Sequence, residues 1–384
     1  MAFPRTLAVL AAASALVASC GHHGARPNGA SSAPLSKPVA APAPPVCADP
    51  SALPAALSTR DKLAQLLMVG VKNADDARAV VNSYHVGGIL IGGWTELSIF
   101  QGPLADIAAK AGPLPLAVSV DEEGGRVSRL RSLIGPSPSA RDLAQTQSVA
   151  QVHDLAADRG KKMRDLGITI DFAPVVDVTD APNGVIADRS FGGDPDTVTA
   201  YAGAYAQGLR DAGVLPVLKH FPGHGRASGD SHSGGVVTPP LADLQNVDLV
   251  PYRTLVNVAP VGVMMGHMQV PGLTGDQPAS LSRAAVELLR YGIGYGAAPF
   301  NGPVFTDDLS SMGAIADRYG VAEAVLRTLQ AGTDVALWVT TDEVPAVLDR
   351  LEKALAANEL AMPAVNDSLV RVATMKGRSR TCGH

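Results

Sequence analysis

"LPVLKHFPGHGRASGDSH", residues 215–232, begins as a short apolar run and passes, with no polar stretch between, into lysine, histidine and finally aspartate. An apolar run bounded in this way reads as a buried strand whose carboxyl end carries polar side chains. The same pattern recurs along the chain. Apolar runs fall at residues 66–69, 86–91, 116–120, 168–170, 215–218, 261–265, 304–306 and 334–339, eight in all. Helix-patterned stretches lie between them at 74–84, 104–111, 139–165, 195–212, 241–257, 282–291, 320–331 and 342–357. Ser58-Thr59-Arg60-Asp61 reads as the capped start of the first helix. Continuous apolar strands separated by helices imply a parallel sheet covered on its outside, and eight such units predict an α/β fold, a single-domain (β/α)8 TIM barrel. An open doubly wound sheet is the competing topology.

In a barrel the chemistry gathers where the strands end at their carboxyl side, because those ends share one face. Five runs here meet that expectation. They are followed by Asp121-Glu122-Glu123-Gly124-Gly125-Arg126, by Asp171, by Lys219-His220, by His267 and by Asp307-Asp308. A capping carboxylate or a satisfied core histidine would explain any one of them. Five together point to a site.

Three chemistries compete for residues 219–232. A metal site would use His220 and His224, four apart, but Pro222, Gly223 and Gly225 oppose the helix that would put both on one face. The metal expectation is therefore none. A phosphate cradle lacks the Gly-Lys-Ser/Thr ending that would feed a helix. The third reading is an acid/base pair: Asp230 and His232 are two apart, so in extended chain they share a side, and the carboxylate can orient and charge the imidazole. Two exposed polar residues on a mobile loop is its bland counterpart. Five glycines between 223 and 235 suggest that the loop moves.

The chain has 384 residues, 31 basic and 36 acidic, with no dense cationic run, which argues against a nucleic-acid partner. Arg5, the apolar stretch from Leu7 to Val17 and Ala18-Ser19-Cys20 read as a signal segment over 1–19, too short in its apolar part for an ordinary membrane span. The Val-Ala-Ser-Cys ending resembles a bacterial lipobox, which would make Cys20 the lipidated first residue of an extracytoplasmic, membrane-anchored protein. Residues 20–50, rich in Ala, Pro and Ser, read as a tether, and 51–384 as the catalytic domain. Cys47 and Cys382 stand near opposite ends of the folded part, so a disulfide between them is expected in an oxidising compartment. A monomer is the expected oligomeric state.

Lys219-His220-Phe221-Pro222-Gly223-His224-Gly225 with Asp230-Ser231-His232 resembles the signature loop of glycoside hydrolase family 3, and within it the NagZ-type β-N-acetylglucosaminidases. The likeness extends through Asp121 to Arg129, Asp188-Arg189-Ser190-Phe191-Gly192 and Thr306-Asp307-Asp308-Leu309-Ser310, in family order over about residues 57–340. The resemblance implies a (β/α)8 barrel and a retaining hydrolysis that needs no cofactor. It makes Asp307 the nucleophile, His232 with Asp230 the acid/base, and Asp121, Arg129, Arg189, Lys219 and His220 the sugar-binding set. The implied partner is a small saccharide carrying terminal GlcNAc, from peptidoglycan; aromatic residues make up only 4% of the chain, which fits a small pocket better than stacking platforms for a polymer. A β-glucosidase, a phosphorylase with the same residues, and a non-catalytic saccharide-binding lipoprotein remain alternatives. Ser311 stands where the family motif often has Met, which touches local packing more than chemistry.

Overall fold

A computed structural model of the chain describes residues 49–258 and 260–377. The signal segment, almost all of the tether, and Cys20, Cys47 and Cys382 lie outside the described residues.

Each of the eight apolar runs yields one strand: β1 (Leu67–Val71), β2 (Gly88–Ile91), β3 (Ala117–Val120), β4 (Ile170–Asp171), β5 (Leu215–Phe221), β6 (Gly262–Met265), β7 (Val304–Thr306) and β8 (Ala336–Trp338). They pair in parallel in one eight-stranded sheet, consecutive strands being neighbours, with β1 joined to both β2 and β8. The ring closes between β7 and β8, where Phe305 bridges Val335 and the Thr306 amide donates to the Val335 carbonyl at 3.0 Å. The doubly wound alternative is thereby set aside. Strands lined inside by one another and covered outside by helices bury both faces, which is why the sequence shows continuous apolar runs instead of alternation.

The main crossover helices are α1 (Ala74–Tyr84), α2 (Pro103–Ala109), α3 (Val149–Asp165), α4 (Pro195–Asp211), α5 (Val250–Leu255), α6 (Arg283–Tyr291), α7 (Val321–Ala331) and α8 (Val344–Ala356). Two predicted helices are each divided. The 139–165 stretch breaks after Thr146 because Ser148 starts a new helix: its hydroxyl accepts from the Gln151 amide while the Gln151 side chain accepts from the Ser148 amide. The 241–257 stretch splits into Leu241–Leu244 and α5, whose second residue, Pro251, suits a first turn and no later one. Ser58 caps its helix as expected, accepting from the Asp61 amide at 3.1 Å. A further helix, Met362–Lys376, was not foreseen. Ser368 and Arg371 on it both donate to the buried Asp334 carboxylate just before β8, tying this helix to the barrel.

Two short ribbons stand on the carboxyl face. Glu122–Gly124 pairs antiparallel with Val127–Ser128, and Val236–Val237 pairs parallel with Met268–Gln269. The first frames the end of β3 and the second frames the loop after β5. Among the described residues no helix is long and apolar enough to cross a membrane.

Candidate active site

Glu122 sets the geometry from below. Its carboxylate is fully buried and accepts from Arg159 of α3 at 2.5 Å, the Ser128 hydroxyl at 2.6 Å and the Leu130 amide at 2.8 Å. Its amide donates to Asp171 at 2.9 Å and its carbonyl accepts from Tyr205 at 3.1 Å. With every polar group of Glu122 engaged, the flanking Asp121 and Glu123 are presented to the cavity above. Burial raises the Asp171 carboxyl well above the ordinary carboxylate range, even though it accepts the Glu122 amide. Asp171 is fully buried beneath the ribbon and is not among the residues that line the cavity. Replacing Arg159 with leucine should destabilise the fold by about 3–5 kcal/mol, because it strands a buried carboxylate. A denaturant midpoint close to wild type, with unchanged slope, would refute this support role.

Glu123 is the hub of the charges that line the cavity. Arg189 grips it with Nε at 2.7 Å and Nη2 at 2.8 Å, and Lys219 Nζ lies 2.6 Å from the same carboxylate and 2.6 Å from Asp121. Burial opposes each charge, but the partners prevail. Arg189 and Lys219 hold Glu123 far below its ordinary value, while Asp121 and Glu123 hold Lys219 above its own. The result is a rigid lattice of fixed donors and acceptors suited to the paired hydroxyls and amide oxygen of a sugar. Arg129, at the far end of the same ribbon, also lines the cavity; its Nε is buried and finds no partner among the described residues.

His220, at the end of β5, is pinned by Asp177. Its Nδ1 lies 2.7 Å from the Asp177 carboxylate, which also accepts the His224 amide at 2.6 Å. Burial works against the Asp177 charge, but His220 keeps the carboxyl below its usual value. With the Nδ1 proton directed at Asp177, Nε2 faces the cavity, 3.9 Å from Asp307 Oδ2 and 3.5 Å from an Arg189 nitrogen. Asp307 follows β7 directly. Its amide donates to the Met265 carbonyl at 3.0 Å, and its Oδ1 accepts the Asp308 amide at 2.9 Å. Burial pushes its carboxyl upward, yet His220, His267 and that amide bring it down to about 2. At neutral pH it is a carboxylate held ready.

Asp230 and His232 stand on the rim, 44% and 59% exposed, with Nδ1 2.7 Å from the carboxylate. The contact is not made by extended chain. Residues 231–233 form a turn in which Asp230 Oδ1 also accepts the His232 amide at 3.0 Å and the Asp230 carbonyl accepts the Ser233 amide. The pairing expected from spacing holds, but a local turn makes it, because aspartate readily bonds its own backbone two residues on. Imidazole Nε2 is left free of this pairing.

One cavity of about 780 Å³ is lined by Asp121, Arg129, Arg189, Lys219, His220, Asp230, His232 and Asp307, so every residue proposed from sequence for catalysis or sugar binding opens onto it. Glu123, Asp177 and His224 were not foreseen. Glu123 lay inside a quoted run, and Asp177 follows the apolar pair Val175-Val176, a strand-end signal that could have been read. His267 is a satisfied core histidine. Burial lowers its pKa, and its two ring nitrogens are both engaged, Nε2 lying 2.8 Å from the Asp308 carbonyl and Nδ1 2.7 Å from the Ser280 hydroxyl. Asp308 is a cap: its carboxylate accepts from Ser310 and from both the amide and the hydroxyl of Ser311. Ser311 is thereby absorbed into the turn, while Met312 lines the cavity.

A barrel with a charged cavity at its carboxyl face and an ionised aspartate at the end of β7 is compatible with a glycoside hydrolase, and the family match makes that assignment. The chain belongs to glycoside hydrolase family 3: residues 58–375 match the model of the glycosyl hydrolase family 3 N-terminal domain. It is 74% identical to beta-hexosaminidase LpqI of Mycobacterium tuberculosis over the full length of both chains, and 35% identical to a beta-hexosaminidase of Thiobacillus denitrificans over 73% of this chain and 80% of that one. The solved structure of M. tuberculosis LpqI superposes with a TM-score of 0.88, covering 89% of this chain and all of that one at 75% identity. A family 3 β-N-acetylglucosaminidase from a Paenibacillus species superposes with a TM-score of 0.78 at 32% identity, covering 83% of this chain and 62% of that one.

Proposed function

We propose that this glycoside hydrolase is a retaining exo-β-N-acetylglucosaminidase. In this reading Asp307 attacks the anomeric carbon and forms a glycosyl-enzyme, while His232, oriented by Asp230, protonates the departing oxygen and then takes a proton from water. The observation that carries it is the shared cavity: a carboxylate held at about 2 and a histidine–aspartate pair open onto the same space. The names of the relatives support hexosaminide as the substrate class. A bounded cavity of about 780 Å³ edged by loops, in place of a long groove, is compatible with removal of one terminal sugar from a short saccharide. The natural substrate is taken to be a GlcNAc-terminated peptidoglycan fragment met outside the cytoplasm, where a lipid on Cys20 would hold the enzyme; the support is the lipobox pattern alone.

The test compares an aryl β-GlcNAc with the matching β-glucoside, follows the anomeric configuration of the first product by NMR, and repeats the assay with phosphate in place of a neutral buffer. The reading expects GlcNAc preference, a β-configured first product and no acceleration by phosphate. An α-configured first product would overturn the retaining scheme, and a phosphate-dependent rate giving a sugar phosphate would make the enzyme a phosphorylase.

The depressed Asp307 carboxyl gives a signed pH prediction. A carboxylate lowered to about 2 stays ionised as pH falls from neutrality and is lost only as pH passes that value. In His232→Ala, assayed with an activated aryl glycoside that needs no acid, kcat/KM should therefore show no acid limb above about pH 4. A limb near pH 5 would mean that the nucleophile is not held as described.

A further inference from the structure

Asp230 and His232 are exposed, yet Ser231 between them is buried at 2%. Its hydroxyl lies 3.2 Å from His224 Nε2, and its carbonyl accepts the Ala314 amide at 3.1 Å. The His232 carbonyl accepts the Gly313 amide at 3.2 Å. Residues 313 and 314 open the short helix Gly313–Ala316 on the segment that begins with Asp307. That segment is itself fixed: the Leu309 amide donates to the Leu337 carbonyl at 3.0 Å, and the Val339 amide donates to Ser310 Oγ at 3.1 Å. His224 is held in turn by Asp177, the residue that orients His220. The acid/base loop thus hangs on the two elements that carry the nucleophile and the sugar-binding histidine.

Gly313 marks how close this approach is. Its φ is not in the left-handed region, so the backbone conformation admits any residue; the space admits a Cβ only if the facing loop backbone yields by a few tenths of an ångström. A Cβ there would stand 3.0 Å from the Gly234 amide nitrogen, 3.1 Å from the His232 carbonyl oxygen and 3.1 Å from the Ser233 carbonyl carbon, all backbone atoms. Of the five loop glycines, Gly223 and Gly225 pack tightly against Asp248 and Val178. Gly229 and Gly234, with φ of 116° and 153°, have open surroundings and flank the dyad. The backbone contacts of residues 231 and 232 with residues 313 and 314 lie between these two glycines.

We propose that Gly313 and the His224–Ser231 pair are positioning residues that latch the 230–233 segment onto the nucleophile's own loop and so fix His232 relative to Asp307. This rests on the acid/base role given to His232 above. Loss of the latch should cost proton donation specifically, because misplacing a general acid by about 1 Å is enough to lose roughly 10- to 100-fold in rate. A variant that merely folds less well loses active molecules for all substrates alike. Slower protonation instead weighs on poor leaving groups.

The experiment measures kcat/KM for a series of aryl β-GlcNAc substrates of graded leaving-group pKa with the full chain, comparing wild type, Gly313→Ala, Ser231→Ala and His232→Ala. Ser231→Ala removes one hydroxyl and guards against Gly313→Ala failing to fold. Expected are losses of roughly 10- to 100-fold on the poorest leaving groups and under about threefold on the best, in both latch variants. A graded loss in His232→Ala with uniform or no loss in the latch variants overturns the latch alone. A uniform loss in His232→Ala overturns the acid assignment, and the latch with it.

Discussion

Asp307→Ala is expected to lower kcat on aryl β-GlcNAc by on the order of 10⁴-fold or more, the scale on which removal of a covalent nucleophile is felt. The physical reason lies in how the site is spent on this one group. His220 is aimed at Asp307 by a fully buried Asp177, the Asp308 amide donates to it, and its own amide is fixed to Met265 at the end of β6. None of these groups can replace the bond that the carboxylate would form to the anomeric carbon. Small nucleophiles such as azide should restore part of the rate in this variant and give an inverted, α-configured glycosyl azide, because azide would enter from the face that Asp307 vacates. Activity within about tenfold of wild type would remove Asp307 from the nucleophile role.

His232→Ala carries the second large effect, and its size should depend on the substrate. General acid help is worth about 10² to 10⁴ in rate, so substrates whose departing alcohol is poor should lose that much, while activated aryl glycosides lose little in the first step. The second step also suffers, since the same imidazole would deprotonate water, and the glycosyl-enzyme should then accumulate. Asp230→Ala should follow the same pattern more weakly, because it leaves the imidazole in place and removes only the carboxylate at 2.7 Å that orients it. Equal losses across good and poor leaving groups would count against an acid at position 232.

Those two residues show what sequence can and cannot reach here. The barrel is readable because parallel strands buried on both faces leave continuous apolar runs, and Val304–Thr306 is found as strand even at three residues because Asp307 ends it. The site is readable because the fold delivers strand ends to one face. The supporting charges are harder. Glu122 and Glu123 are adjacent and chemically alike, yet one is enclosed beneath the ribbon with Arg159 and the other meets Arg189 and Lys219, partners 37, 66 and 96 positions away along the chain. No local pattern distinguishes them; the alternation of a short strand does. Asp230 and His232 show the converse case, in which spacing finds the pair while the turn that joins them is visible only in three dimensions. The latch proposed at Gly313 had no signal in the sequence beyond the Gly313-Ala314 pair that keeps the nucleophile motif's spacing, because what crowds a side chain there is a loop some eighty residues earlier in the chain.

Mass spectrometry of His232→Ala during turnover of an activated aryl β-GlcNAc tests the central claim most directly. With a good leaving group the glycosyl-enzyme forms without an acid, and without a base it hydrolyses slowly. The account predicts a burst of one aryl alcohol per active site, a protein mass increased by one N-acetylhexosaminyl residue, and that mass located on the peptide containing Asp307. A steady state with no burst and no adduct, or an adduct on any other residue, would contradict it.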